Sequence, residues 1–137
     1  MISTVLFDMN DVLFRYDRSV RAERLALLCG KPVSVVEAAI WGSGFEDAGD
    51  GGEMDADAYL EGFGERLGYP LTIDEWAEAL RAAVAPIPEQ LALGASIAGR
   101  SRIAVLTNNN LMVKRAVDAV FPELRPILEA FRAEALL

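Results

Sequence analysis

The chain offers only two short apolar, β-branched runs, and they lie far apart. The first, Ile2 to Phe7, ends at Asp8. The second, Ile103 to Leu106, ends at Thr107 and Asn108. Continuous apolar runs of this length suit strands buried on both faces, the pattern of a parallel sheet. A further apolar stretch, Val12-Leu13-Phe14, follows the first run at once. Two strands alone cover a parallel sheet poorly, so the core they predict is incomplete.

Nearly everything between the runs reads as helix. Asp17 or Ser19 caps a first helix through Leu25, Leu27 and Leu28, and Gly30 stops it. Ser34 with Glu37 has capping-box spacing and opens a short helix to about Trp41. Gly42 to Gly52 holds five glycines and reads as a loop. Asp55 caps a helix with Tyr59, Leu60, Phe63 and Leu67 at helical intervals, closed by Gly68 and Pro70. Thr72 with Glu75 is a second capping box, and its helix runs through Trp76, Leu80 and Val84 and stops before Pro86. Residues 15–86 are therefore expected to be wholly helical. Pro88 opens the next helix, to about Gly99. After the second strand, Asn109 or Asn110 caps a helix with Val113, Ala116, Val117, Val120 and Phe121 along one stripe. Pro122 and Pro126 interrupt the chain, and Ile127 to Leu137 reads as a last short helix. The predicted fold class is α/β: an incomplete Rossmann-like parallel-sheet core with an all-helical cap inserted after the first strand. The core takes 1–14 and 87–137, and the cap takes 15–86.

Composition narrows the chemistry. The 137 residues carry a net charge of −8, against a nucleic-acid partner, which needs clustered Lys and Arg. Histidine is absent, which removes Ser-His-Asp and Cys-His nucleophiles and His-ligated zinc. The single cysteine, Cys29, excludes an intrachain disulfide and reads as a small buried hydrophobe. No run is long and apolar enough to span a membrane, and the N-terminus lacks a signal pattern. The expectation is a cytoplasmic protein with no membrane partner.

If the two strands are parallel neighbours, Asp8, Thr107 and Asn108 converge at their carboxyl ends, where open α/β sheets bind ligands. A carboxylate, a hydroxyl and an amide ahead of a helix suit an anion held near a metal ion. At these residues the chain resembles the haloacid dehalogenase-like hydrolases. That superfamily's first motif, D-x-D-x-[TV]-[LV] after an apolar strand, reads here Phe7-Asp8-Met9-Asn10-Asp11-Val12-Leu13. Its second, an apolar strand ending in Ser or Thr and often Asn, reads Val105-Leu106-Thr107-Asn108. Members with a helical cap carry an insertion like residues 15–86. The resemblance covers about residues 1–127. It implies a phosphatase of small phosphorylated metabolites, with Asp8 the nucleophile that becomes an aspartyl-phosphate. It further implies Mg²⁺ held by the Asp8 carboxylate and the backbone carbonyl of Asn10, and Thr107, with Asn108, on the phosphoryl group.

The chain departs from the family pattern in three places. Asn10 stands where phosphatases of the family carry a second Asp, and an amide cannot donate and recover a proton. Asp11 next door points another way. The family's later Lys is missing: Lys114 is the only Lys after Thr107 and reads as a solvated helix residue. The acidic pair of the last motif is missing too, since Asp118, Glu123, Glu129 and Glu134 follow no apolar strand. Weak or absent activity is expected. The chain reads as a shortened version of a longer hydrolase, as a non-catalytic binding relative, or as one half of a homodimer whose chains complete each other's sheet. Dehalogenation of a 2-haloacid is a lesser reading, because Asn10 is not the aromatic usual in that branch.

Residues 32–65 hold nine acidic residues and no basic one, which reads first as a solvated face. Trp41, Phe45, Tyr59, Phe63 and Trp76 read as cap core, with Trp41 and Phe45 placed to reach a substrate. Asp50, Glu53, Asp55 and Asp57 lack the spacing of a calcium loop.

Overall fold

The computed structural model describes residues 4–98, 100–106 and 110–129. Strand β1 (Thr4–Asp8) pairs in parallel with β4 (Arg102–Leu106), in a register that sets Thr4 against Arg102 and Asp8 against Leu106. Between them lie two short strands and six helices: β2 (Phe14–Tyr16), α1 (Arg18–Cys29), α2 (Val33–Glu37), α3 (Phe45–Asp50), α4 (Ala56–Leu67), α5 (Ile73–Ala83), β3 (Val84–Pro86) and α6 (Pro88–Ala98). After β4 come α7 (Leu111–Arg115), α8 (Val117–Val120), a 3₁₀ turn at Pro122–Leu124 and α9 (Arg125–Glu129). The fold is α/β, with an incomplete parallel core and a helical insertion between its two strands. Among the described residues, no single helix is long and apolar enough to cross a membrane.

The described residues gather into two compact units. One draws on described residues within 4–16, 84–106 and 121–129, the other on those within 17–83 and 110–120. In the first, Phe7, Met9, Leu13, Phe14, Ile103, Phe121, Leu124 and Ile127 are buried. Phe14 and Phe121 meet edge to face, with ring centroids 4.8 Å apart. Gly94 of α6 lies against Ile127 of α9, where a Cβ would come within 3.1 Å of Ile127 Cδ1. Leu6 is 57% exposed, so one face of β1 is not covered by the described residues.

The second unit is built on local signals that the sequence states well. The Asp17 carboxylate accepts the Ser19 N–H at 3.0 Å, and Gly30 closes α1 in the left-handed conformation at φ 70°. Asp55 Oδ1 accepts the Ala58 N–H at 2.8 Å, and Gly68 closes α4. Thr72 and Glu75 form the reciprocal capping box, with both backbone-to-side-chain bonds at 3.1 Å. Asn110 caps α7, its Oδ1 accepting the Val113 N–H at 3.3 Å.

Five expectations need correcting. Residues 15–86 are not wholly helical: Phe14–Tyr16 and Val84–Pro86 pair as a small antiparallel ribbon, Tyr16 against Val84, apart from the parallel sheet. The Ser34–Glu37 box does not form. Pro32 stands at the N-cap without a side-chain bond, and α2 runs on into a π-helical turn at Ala38–Gly42. Half of the supposed glycine loop is helix α3, because Phe45 and Gly49 both pack on Tyr59. Cys29 is half-buried at the last residue of α1 rather than in a core. The helix after β4 breaks at Ala116, whose φ −99° and ψ 14° separate α7 from α8. Helix α9 begins at Arg125, before Pro126, which its early position tolerates. The rest of the expected last helix lies outside the described residues.

Gly49 provides a sharp test of α3. A Cβ there would come within 2.7 Å of Tyr59 Cδ2 and Cε2. That ring cannot retreat, because it stacks on Phe45 at 5.6 Å and its hydroxyl bonds Glu46 at 2.8 Å. Gly49→Ala should cost about 2 kcal/mol by urea denaturation. Gly42→Ala, where the nearest atom is 3.7 Å away, should be neutral or slightly stabilising.

Candidate functional site

Asp8 ends β1 with its side chain exposed, and its Oδ1 accepts the Met9 N–H at 2.7 Å. The chain then closes a tight turn. The Met9 carbonyl accepts the N–H of both Leu13 and Phe14 at 3.0 Å, and the Asp11 N–H donates to the Phe14 carbonyl at 2.6 Å. Met9 and Leu13 are fully buried and pin the turn from beneath. Asp11 sits at its tip with φ 62°, a left-handed conformation that Asp tolerates better than most residues. Asp8 and Asn10 thus share one rigid loop, with Asn10 half-buried.

The parallel register sets Asp8 opposite Leu106, the residue before Thr107. Thr107 and Asn108 themselves lie outside the described residues. Lys114 is exposed on α7, as expected of a solvated helix residue.

One carboxylate is a sparse metal site. Among the described residues no group of three or more His, Cys, Asp or Glu could hold a metal ion. Mg²⁺ nevertheless keeps several waters and is commonly bound through one or two carboxylates plus substrate phosphate. The exposed Asp8 carboxylate beside the Asn10 backbone fits that donor set.

A second polar constellation lies in the helical unit, and sequence reasoning missed it. Glu46 of α3 is 7% exposed, and Arg21 of α1 is 3% exposed. Their closest approach is 3.6 Å. The Tyr59 hydroxyl donates to the Glu46 carboxylate, 2.8 and 3.0 Å from its two oxygens. The Arg21 guanidinium lies 5.4 to 5.7 Å from the ring centres of Trp76, Phe63 and Trp41. Asn110 Nδ2 lies 3.3 Å from Asp50 Oδ1 and 3.5 Å from Glu46 Oε1. Burial, and then the neighbouring Glu46, push the Asp50 carboxyl up to about 6. Burial likewise raises the Tyr59 phenol, against the pull of Arg21.

The acidic run is thus not simply a solvated face, since Glu46 is buried and Asp50 half-buried. Phe45 and Trp76 are buried core, as expected, and Trp41 lies under two guanidinium groups, those of Arg18 and Arg21. The available signal was the one-turn spacing of Glu46 and Asp50, hidden by reading their segment as loop. Removing one partner of a buried ion pair strands the other charge. Arg21→Met should therefore lower unfolding stability by about 3 kcal/mol. Breaking the exposed Arg115–Asp57 pair, at 2.6 Å, should change it little by the same urea titration.

No family model and no curated protein matches the chain. Solved structures do. A predicted HAD-like family hydrolase from Porphyromonas gingivalis aligns with 99% of this chain and 65% of its own, at 19% identity and a TM-score of 0.72. A HAD family enzyme from Bacteroides thetaiotaomicron, in complex with magnesium and inorganic phosphate, aligns with 85% of this chain and 58% of its own, at 18% identity and a TM-score of 0.66. The chain spans about three fifths of the length of these neighbours. At such identities the likeness concerns the fold.

Proposed function

Starting from a chain with the haloacid dehalogenase-like fold, we propose that it carries the nucleophile half of a Mg²⁺-dependent phosphatase site for small phosphate esters, with Asp8 as the reacting group. The reading rests on one observation above all: the parallel register that sets Asp8 opposite the residue preceding Thr107. The magnesium and phosphate bound by the Bacteroides enzyme support the choice of ligand.

In this reading an Asp8 carboxylate oxygen attacks phosphorus. A P–O bond forms to Asp8 as the ester P–O bond breaks, leaving an aspartyl-phosphate and the substrate's alkoxide. Water then attacks the phosphoryl group and returns the carboxylate and inorganic phosphate. Mg²⁺ held by Asp8 and the Asn10 backbone carbonyl would neutralise phosphate charge when bound. Thr107 and Asn108 would hydrogen-bond the phosphoryl oxygens. Asn10 cannot protonate the alkoxide, so water must do it. That favours substrates with acidic leaving groups, such as aryl or acyl phosphates.

Lys114 is exposed, so it does not supply the family's charge-neutralising Lys from a buried position. A missing electrostatic donor of this kind is worth about a hundredfold or more in rate. The chain alone should therefore hydrolyse an aryl phosphate with Mg²⁺ at least about a hundredfold more slowly than an ordinary phosphatase. Asn10 and the exposed Lys114 together favour a second reading, in which the same site binds a phosphorylated ligand without turning it over.

Beryllium fluoride with Mg²⁺ mimics an acyl phosphate and tests Asp8 under either reading. Wild type should bind it in a Mg²⁺-dependent manner by calorimetry, and Asp8→Asn should not, while the thermal unfolding midpoints of the free proteins stay close. Equal metal-dependent binding by both proteins would remove Asp8 from the site.

A further inference from the structure

Helix α4 ends against its own continuation. The Tyr69 N–H donates to the Gly64 carbonyl at 3.0 Å, and a Cβ on Gly64 would come within 2.8 Å of the Tyr69 carbonyl oxygen and 3.1 Å of the Leu71 nitrogen. Segment 69–71 therefore lies directly on the helix at Gly64. The Tyr69 hydroxyl donates to the Glu75 carboxylate at 2.6 Å, and Glu75 belongs to the capping box of α5, so the ring is tied to the start of that helix. Beside this contact a groove of about 440 Å³ opens to solvent. Leu60, Tyr69, Pro70 and Leu71 give it apolar walls, and Glu61 and Glu65 of α4 line it as well. A volume of that order suits a small molecule.

The charges around the groove do not balance. Glu61 and Glu65 are exposed one turn apart, and among the described residues neither has a hydrogen-bond or ion-pair partner for its carboxylate. Like charges at that spacing repel. Asp57, a turn earlier, is paired with Arg115, and Glu75 is engaged by Tyr69 and Thr72. Arg66 is drawn over the Phe45 ring, 4.9 Å from its centre. Lys31 rests against Gly68, its Nζ 2.8 Å from where a Cβ would stand, but it does not line the groove. The C-terminal end of the 12-residue α4 adds negative potential of its own.

We propose that this groove binds a small organic cation, a protonated amine carried on a short apolar body. The ammonium group meets Glu61 and Glu65 and relieves their repulsion. The apolar body lies along Leu60, Pro70 and Leu71, and the Tyr69 ring adds cation–π attraction. A carboxylate or phosphate on the same body is repelled by the two glutamates and by the helix end. Contacts within one helix and the segment that follows it form the groove in advance, which lowers the cost of binding. All of these residues belong to the helical unit, so binding here does not depend on whether Asp8 is a nucleophile.

The experiment is an NMR titration of the nitrogen-15-labelled full chain at neutral pH and low salt with three probes of one shape: phenethylamine, phenethyl alcohol and 3-phenylpropionate. Phenethylamine should bind and shift the amides of Gly64, Gly68, Tyr69 and Leu71. The alcohol should bind about fivefold to tenfold more weakly, and the carboxylate more weakly still. Glu61→Gln with Glu65→Gln should weaken phenethylamine by about the same factor and leave the alcohol unchanged. Both carboxylates are exposed and unpaired, so this variant should unfold at no lower a temperature than wild type. Equal binding of amine and alcohol would overturn the proposal, as would an unchanged amine affinity in the double variant or shifts confined to other residues. A capped Leu-Lys-Leu peptide that binds these amides more tightly than phenethylamine would also overturn it, by making the occupant a polypeptide.

Discussion

Parallel pairing of β1 with β4 is the constraint from which the rest follows. A parallel neighbour cannot be reached by a tight turn, because the chain must travel back along the whole strand before it pairs again. Here the return is long, and it is organised by the ribbon of β2 and β3. Tyr16 and Val84 are cross-strand partners, so the excursion through 17–83 leaves and rejoins the first unit at one place. The Ile87 N–H reaches back to the Leu13 carbonyl at 2.9 Å and ties that junction to the turn carrying Asn10. The loop after Asp8 is thus held at both ends, with buried Met9 and Leu13 beneath it. Rigidity at that point is what a reacting carboxylate needs, since misplacement of the attacking group is costly.

The helical unit solves a different problem. Its aromatic side chains enclose a guanidinium, and a cation inside an apolar cluster needs an anion and ring faces to replace water. Glu46 supplies the anion, and Trp41, Phe63 and Trp76 supply the faces. Such pairs add little net stability over a well-packed apolar core. What they add is position. Arg21 lies on α1, Glu46 on α3 and Tyr59 on α4, so one network ties three helices together.

Local signals were legible in the sequence and long-range ones were not. Asp17, Gly30, Asp55, Gly68, Thr72 with Glu75 and Asn110 all act within a few residues, and all cap as read. Ser34 failed because the rigid Pro32 already sets the start of α2. β2 and β3 are three residues each, too short to show a period. α3 is helical against its glycine content because Tyr59, from a later helix, gives Phe45 and Gly49 a surface. The Arg21–Glu46–Asn110 network joins residues remote in sequence, and no spacing rule announces it. At the candidate site, Asp8 was legible because a strand end is a local feature.

The exposed Leu6 has a consequence for how the protein behaves in a crowded solution. Among the described residues β1 has a strand neighbour on one side only, and an apolar side chain stands free on its uncovered face. Backbone groups along such an edge can template another strand, and an apolar face rewards whatever covers it. What opposes this at neutral pH is the charge of −8 on every copy. That opposition is long-ranged and decays over about 8 Å at physiological salt, whereas the attraction of the strand edge is not screened in this way. Colloidal behaviour should thus pass from charge-controlled to edge-controlled as ionic strength rises or as the carboxylates take up protons.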